Sequence, residues 1–135
     1  MYLYNVNVEF EDIDSYGIIH HPRVLYFLER ARVHFFLDNG IDVNTHDTSV
    51  GFVLRNINIQ LKKQIVMFDK LDIEVRTKNI DRYRFTFDYQ IKCNGKVMIT
   101  SDIEMVLIDV NTKKLIQIPD DIRAILEKIE INSEC

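Results

Sequence analysis

Asp14 is the residue around which chemistry can be assembled. It lies in the run Val8-Glu9-Phe10-Glu11-Asp12-Ile13-Asp14-Ser15-Tyr16-Gly17-Ile18-Ile19-His20-His21-Pro22, eight residues ahead of Pro22. Proline is favoured in the first turn of a helix, where its missing N–H has no intrahelical partner and its φ is already helical, so a helix is expected from Pro22. A carboxylate folded back onto such a terminus can act as general base on water or attack a carbonyl directly, while free backbone N–H groups stabilise the developing oxyanion. Gly17 permits the bend that this return requires. On residue type alone an aspartate here is more often a turn former or a cap, so position has to decide.

The rivals are few. Glu29 stands two turns into the expected helix, where a glutamate ordinarily pairs with Arg32, Arg30 or a neighbouring subunit. Glu9, Glu11 and Asp12 read as solvated or structural acids, since strand alternation would turn Glu9 and Glu11 away from the Phe10 face. His20-His21 beside Asp14 raises a metal site. Adjacent histidines in one turn rarely converge on one ion, however, and no third ligand is suitably spaced, so no metal is expected. Cys93 lies in a strand-like run and Cys135 is the last residue; they form neither metal nor redox spacing and suit a reducing cytosol.

The elements that must position Asp14 follow from hydrophobic period. Tyr2, Tyr4, Val6, Val8 and Phe10 alternate as one face of a first strand. From Pro22 to Asn39 helical spacing puts Val24, Phe27, Leu28, Ala31 and Phe35 on one stripe, and Gly40 stops the helix after roughly 27 Å. Leu25, Val33, Phe36 and Leu37 add apolar groups on its other sides, so something should wrap it. A polar loop from Ile41 to Gly51 leads to a strand at Phe52–Leu61, whose apolar phase shifts at Arg55 and Asn56 and predicts a bulge. Strict alternation then marks Lys70–Lys78 and Tyr83–Cys93. Asn94-Gly95 is a hairpin turn, Lys96–Ile108 a last long strand, and 109–114 a turn. Leu115–Pro119 leads into a short helix carrying Ile122, Ile125, Leu126 and Ile129.

The expected order is strand, long helix, then four strands in meander. Because antiparallel sheets tolerate one wet face, the apolar face must take the helix. The fold class is α+β: an antiparallel sheet wrapped around one long central helix.

Bulk properties bound the function. The chain has 135 residues, 47% of them hydrophobic, enough for one domain spanning 1–135 with a real core. A formal charge of −4 and a pI of about 5.5 argue against nucleic acid as the main partner, since that affinity rests on neutralising phosphates. The start lacks a basic region and an apolar stretch of signal-peptide length, and no run of eighteen apolar residues occurs, so a cytoplasmic protein without a membrane span is expected. Internal repeats, low-complexity tracts and linkers are not seen.

Phe10 to His21, followed by Phe27-Leu28-Glu29-Arg30-Ala31-Arg32, resembles the signature of hotdog-fold acyl-CoA thioesterases of the 4-hydroxybenzoyl-CoA thioesterase and YbgC type. Gly51-Phe52-Val53-Leu54-Arg55 resembles the start of that family's second strand, and Val110 to Pro119 its closing turn. The similarity covers nearly the whole chain. It departs at His20, where the family often has Tyr or Asn, at Val24, where it has Tyr, and near Gln64, where it has Pro. The Val24 change alters the lining at the helix start and bears on substrate range.

The resemblance implies a single hotdog domain that hydrolyses an acyl-CoA thioester to free acid and coenzyme A. It implies Asp14 as general base or nucleophile, Gly17 as the turn glycine, and His21 as the residue whose backbone N–H polarises the carbonyl. Thioesters suit so spare a site, because the leaving thiol has a pKa of about 8.5 and departs with little acid help. No cofactor is implied, coenzyme A being part of the substrate, and the acyl donor could equally arrive on acyl carrier protein.

Cations available for its phosphates are Arg55, Lys62, Lys63, Arg82 and Arg84; aromatics available for an acyl pocket are Tyr16, Tyr26, Phe27, Phe35 and Phe36. Tyr16 and Arg55 stand as the expected substrate-binding residues, although polar strand faces normally carry such cations and most of these aromatics read as core. The family implies homodimers with shared sites, often paired into tetramers. Two other readings share the fold: a dehydratase or hydratase of acyl thioesters, and a non-catalytic acyl-CoA-binding protein. The Asp-x-x-Gly turn resembles the hydrolytic branch, and a sensor would need an output domain for which the length leaves no room.

Overall fold

Period-two alternation decides most of the sheet. In the computed structural model, which describes residues 1–41 and 49–131, strand β3 (Lys70–Lys78) buries Leu71, Ile73, Val75 and Thr77. Strand β4 (Arg84–Cys93) buries Phe85, Phe87, Tyr89 and Ile91 and pairs with β3 antiparallel, Ile73 opposite Ile91 and Val75 opposite Tyr89. Asn94 and Gly95 both take positive φ, +52° and +80°, the pair of left-handed residues that a type I′ turn requires. They join β4 to β5 (Lys96–Asp109). Strand β2 (Val50–Leu61) pairs with β5 and its register shifts between Leu54 and Asn56, leaving Arg55 as the extra residue of the predicted bulge. Strand β1 (Tyr2–Asn7) pairs with β3, and a two-residue β6 (Leu115–Ile116) with β5.

The strand order is β1-β3-β4-β5-β2, so the four-strand meander expected from the sequence is not formed. Of the four strands β2 to β5, only β3, β4 and β5 are sequential neighbours. The other side of β3 is taken by β1, which leaves β2 the open side of β5, and residues 62–69 must cross from one side of the sheet to the other. Ile65 in that crossing is fully buried. Phe10 also departs from expectation. The strand ends at Asn7, and Phe10–Asp12 forms a single 3-10 turn that leaves the Phe10 ring 75% exposed. The Asp12 carboxylate accepts the Glu9 N–H at 2.9 Å, which closes the turn and takes the backbone out of the strand.

Helix α1 (His21–Asp38) begins one residue ahead of Pro22, with extended His20 as its N-cap. At its other end Gly40, at φ +80°, donates to the Leu37 carbonyl at 3.0 Å and Ile41 donates to that of Phe36 at 2.9 Å, the two bonds of a Schellman stop. The expected stripe of Val24, Phe27, Leu28, Ala31 and Phe35 is buried, and so are Arg32 and Phe36. Phe35 and Phe36 meet Phe87 of β4 edge-on, with ring centroids 6.1 and 5.9 Å apart. Each such ring taken from water contributes about 1.5–3 kcal/mol. Leu25, Tyr26 and Leu37 stay exposed, so a single chain does not cover the outer side of α1.

Helix α2 (Asp120–Lys128) adds Ile122, Ile125 and Leu126 to the same apolar cluster and is tied to β3 where Thr77 Oγ1 donates to the Leu126 carbonyl at 2.6 Å. The described residues form one antiparallel sheet with two α-helices around one core. Among the described residues no helix is long and apolar enough to cross a membrane. Most of the loop expected at 41–51, and Cys135, lie outside the described residues.

Candidate active site

The turn carrying Asp14 is built by its own backbone. Gly17 N–H donates to the Asp14 carbonyl at 3.1 Å, Asp14 N–H to the Ile18 carbonyl at 2.8 Å, and Ile13 bridges Ile19. Gly17 stands at φ +79°, where a side chain would be strained, and so lets the chain reverse within four residues. Asp14 Oδ1 accepts the Tyr16 N–H at 2.8 Å and the Ile18 N–H at 3.4 Å. Its Oδ2 makes no hydrogen bond among the described residues. One oxygen therefore fixes the carboxylate while the other is left for a ligand or a water.

The same turn is pinned to the start of α1. Arg23, in the first helical turn, reaches back to Asp12 Oδ1 with Nε at 2.8 Å and Nη2 at 2.7 Å, and His20 N–H donates to the Asp12 carbonyl at 2.8 Å. Asp12 is 3% exposed. Sequence spacing alone, which placed it only among solvated or structural acids, did not single out this pairing across a turn. Arg23 N–H turns in to the His20 carbonyl at 2.9 Å and Pro22 has no N–H, while His21 N–H finds no partner among the described residues. A helix terminus with a free amide favours negative charge nearby.

His21 also lines a cavity of about 150 Å³, together with Ile18, Lys62, Lys63, Ile65 and Ile99 among others. Ile19 N–H donates to the Ile65 carbonyl at 2.8 Å and Ile18 bridges Val66, so the start of the crossing lines this cavity and brings its two lysines there. The five candidate cations are thus divided. Lys62 and Lys63 stand beside His21, whereas Arg55 lies with Arg82 and Arg84 around a separate groove of about 420 Å³. Tyr16, at the tip of the turn, is 86% exposed and lines neither.

Of the other aromatics, Phe27, Phe35 and Phe36 are core, and Tyr26 is exposed with Arg23 over its ring. Glu29 is exposed and, with Arg32 and Phe36, borders another cavity of about 210 Å³ between α1 and β2. Among the described residues no group of three or more histidines, cysteines or acids could hold a metal ion.

The sequence pattern of the thioesterase-like superfamily matches residues 8–126. The acyl-CoA thioesterase YbgC of Haemophilus influenzae is 22% identical over 121 residues, 88% of this chain and 89% of that protein. A 1,4-dihydroxy-2-naphthoyl-CoA hydrolase of Nostoc punctiforme is 24% identical, over 93% of this chain and 86% of that one. The crystal structure of a hypothetical protein from Aquifex aeolicus superposes with a TM-score of 0.88 at 23% identity, covering 93% of this chain and 99% of that one. The chain belongs to the thioesterase-like superfamily, as its motif resemblance implied. Within that family, the relatives named for their activity make it a thioester hydrolase of the hotdog fold.

Proposed function

We propose that the protein is an acyl-CoA thioesterase that releases free acid and coenzyme A, with Asp14 as general base or nucleophile and the start of α1 as the oxyanion site. The observation that carries this reading is the division of labour at Asp14: Oδ1 is held by two amides of its own turn, Oδ2 is free, and the turn is pinned to a helix start whose His21 N–H is unengaged. An attacking water or carboxylate oxygen on one side of the thioester carbonyl and a fixed N–H on the other are what a tetrahedral intermediate needs. Gly17 shapes the turn. Lys62 and Lys63, with Tyr16 and Arg55 from their separate positions, are the residues available to the coenzyme A portion or to an acyl carrier protein. No cofactor enters this chemistry.

The reading includes an assembly. Strand β2 ends the sheet, and it exposes Leu54, Ile57 and Leu61. Two copies pairing along β2 about a two-fold axis would run antiparallel, setting the Leu61 end of one strand against the Leu54 end of the other. The His21 cavity of one protomer would then meet the Arg32 cavity of its partner, and the sheets would close around the α1 helices. Residues 1–135 act as one cytoplasmic domain in this scheme, as a dimer or a tetramer.

The test is release of free thiol from short, long, hydroxylated and aromatic acyl-CoAs, followed with a thiol-reactive dye. Turnover on at least one member is expected. Binding without turnover on any member would replace hydrolysis by the non-catalytic reading, and interconversion of enoyl- and hydroxyacyl-CoA with the thioester intact and no thiol release would favour a hydratase.

A further inference from the structure

Arg32 is the polar group that the proposed mechanism leaves unused. It projects from the middle of α1 and is 8% exposed; among the described residues it forms no ion pair, the adjacent Glu29 included, and its guanidinium faces the Tyr89 hydroxyl. A guanidinium does not escape such a position by losing its proton, as a buried lysine or glutamate can. A buried guanidinium without an anionic partner is costly, and an acceptor entering the cavity it borders would relieve that cost. The cavity it borders, about 210 Å³, is otherwise apolar on the sheet side, where Phe52, Leu54 and Met105 face Phe36. The Tyr89 hydroxyl that it faces is wholly buried and makes no well-formed hydrogen bond among the described residues. Burial pushes the Tyr89 phenol up to about 12, with Arg32 opposing part of the rise, so it stays a neutral donor.

We propose that Arg32 selects the acyl group, receiving an oxygen acceptor that the acyl chain carries away from the thioester. This deepens the thioesterase reading and rests on it. The part of the pocket that Arg32 borders, about 210 Å³ in one protomer, is smaller than the ~300 Å³ at which pockets for drug-sized ligands begin, so the portion of the acyl group that reaches Arg32 is small and carries its oxygen there. A site built to satisfy a buried donor discriminates strongly against an analogue lacking the acceptor, because the donor is then left bare.

The experiment compares matched substrates on the purified full chain: hexanoyl-CoA against 6-hydroxyhexanoyl-CoA and adipoyl-CoA, and benzoyl-CoA against its hydroxylated forms. At least one oxygen-bearing member is expected to exceed its hydrocarbon match by about tenfold or more in kcat/KM, with the hydroxyl and carboxylate arms showing which oxygen is preferred. Arg32→Met should lower that ratio by at least about tenfold, and Arg32→Lys by less. Equal treatment of each pair by the wild type overturns the proposal. So does an Arg32→Met ratio that matches wild type while both members slow alike, since that is what a purely structural arginine, or one satisfied by water or by a neighbouring copy, would give. If Arg32→Met does not fold, the same ratio is read in Arg32→Lys, and no change there overturns it.

If no thioester is cleaved at all, the thioesterase reading fails separately. Arg32 is then judged by melting temperature, where oxygen-bearing free acids should stabilise wild type more than the variant. Equal shifts overturn the proposal.

Discussion

Asp12 and Asp14 are two residues apart, and their partners give them different work. Asp12 is enclosed and spends both oxygens on structure, one on Arg23 and one on the Glu9 amide. Asp12→Ala should therefore lower stability by about 2–3 kcal/mol, below the 3–5 typical of a broken buried pair because Arg23 keeps partial access to water, and a urea melt measures it. Asp14 has one oxygen to spare. Asp14→Asn should keep the melting temperature and KM within small changes while kcat falls ~10² to 10⁴, the range for losing a positioned acid–base group. Glu29→Gln should matter much less, since within its own protomer Glu29 borders a different cavity from His21 and has no part in the Asp14 turn. The reverse result, with Glu29→Gln inactive and Asp14→Asn within a few-fold of wild type, would move the chemistry to the helix. The turn around Asp14 was legible because Asp-x-x-Gly is a local signal. The anchoring of Asp12 was not, because Arg23 is 11 residues away and spacing says nothing about a contact across a turn.

On the outer face of the sheet, two carboxylates are held in opposite states by their neighbours across strands. Burial works against ionised Glu74, but Lys92 at 3.0 Å and Arg76 at 3.3 Å overcome it and hold its pKa below the usual carboxylate value. Its ionisation adds stability above the unfolded pKa, and that contribution is lost as pH falls through the folded one. Asp88 pairs in register with Asp102, and burial together with that second carboxylate holds its pKa above the ordinary value although Lys78 lies at 3.7 Å. Its ionisation therefore opposes folding at neutral pH, and the opposition fades as pH falls through the raised pKa toward the unfolded one.

Glu74→Gln should melt below wild type at pH 7, and Asp88→Asn at or above it, with both differences shrinking as acid protonates the carboxylates. A scan of melting temperature against pH reads both signs. The alternation of β3 and β4, the turn at Asn94-Gly95 and the bulge at Arg55 could be read from sequence because each is written in period two or in φ > 0 residues. Facing pairs such as Asp88 and Asp102 could not, since they depend on register. The place of β2 depended on which side of β5 remained open, a fact of the whole sheet that no local pattern carries.

For the molecule as a whole, the open edge at β2 and the bare outer side of α1 set what solution measurements should find. Light scattering should give a mass two or four times 16.0 kDa. Ile57 is 42% exposed on the edge strand, and Ile57→Lys should shift the mass toward one copy and remove turnover if the site is shared. A wild-type monomer at micromolar concentration would contradict that sharing. The crossing 62–69 has another effect, on the order in which the chain acquires its structure. All the residues of the motif lie within Val8–Gly40, a contiguous stretch that a short peptide could carry, yet Ile19 donates to Ile65 and Val8 exchanges hydrogen bonds with Phe68 and Asp69. These partners lie beyond β2 in the chain, in the crossing that leads to β3. Loop-closure entropy makes contacts of such separation late ones in folding, and they are correspondingly among the first released in partial opening. The motif is local as text and long-range as an object, so the Ile19 amide exchanges with solvent on the schedule of the crossing rather than on that of the helix beside it.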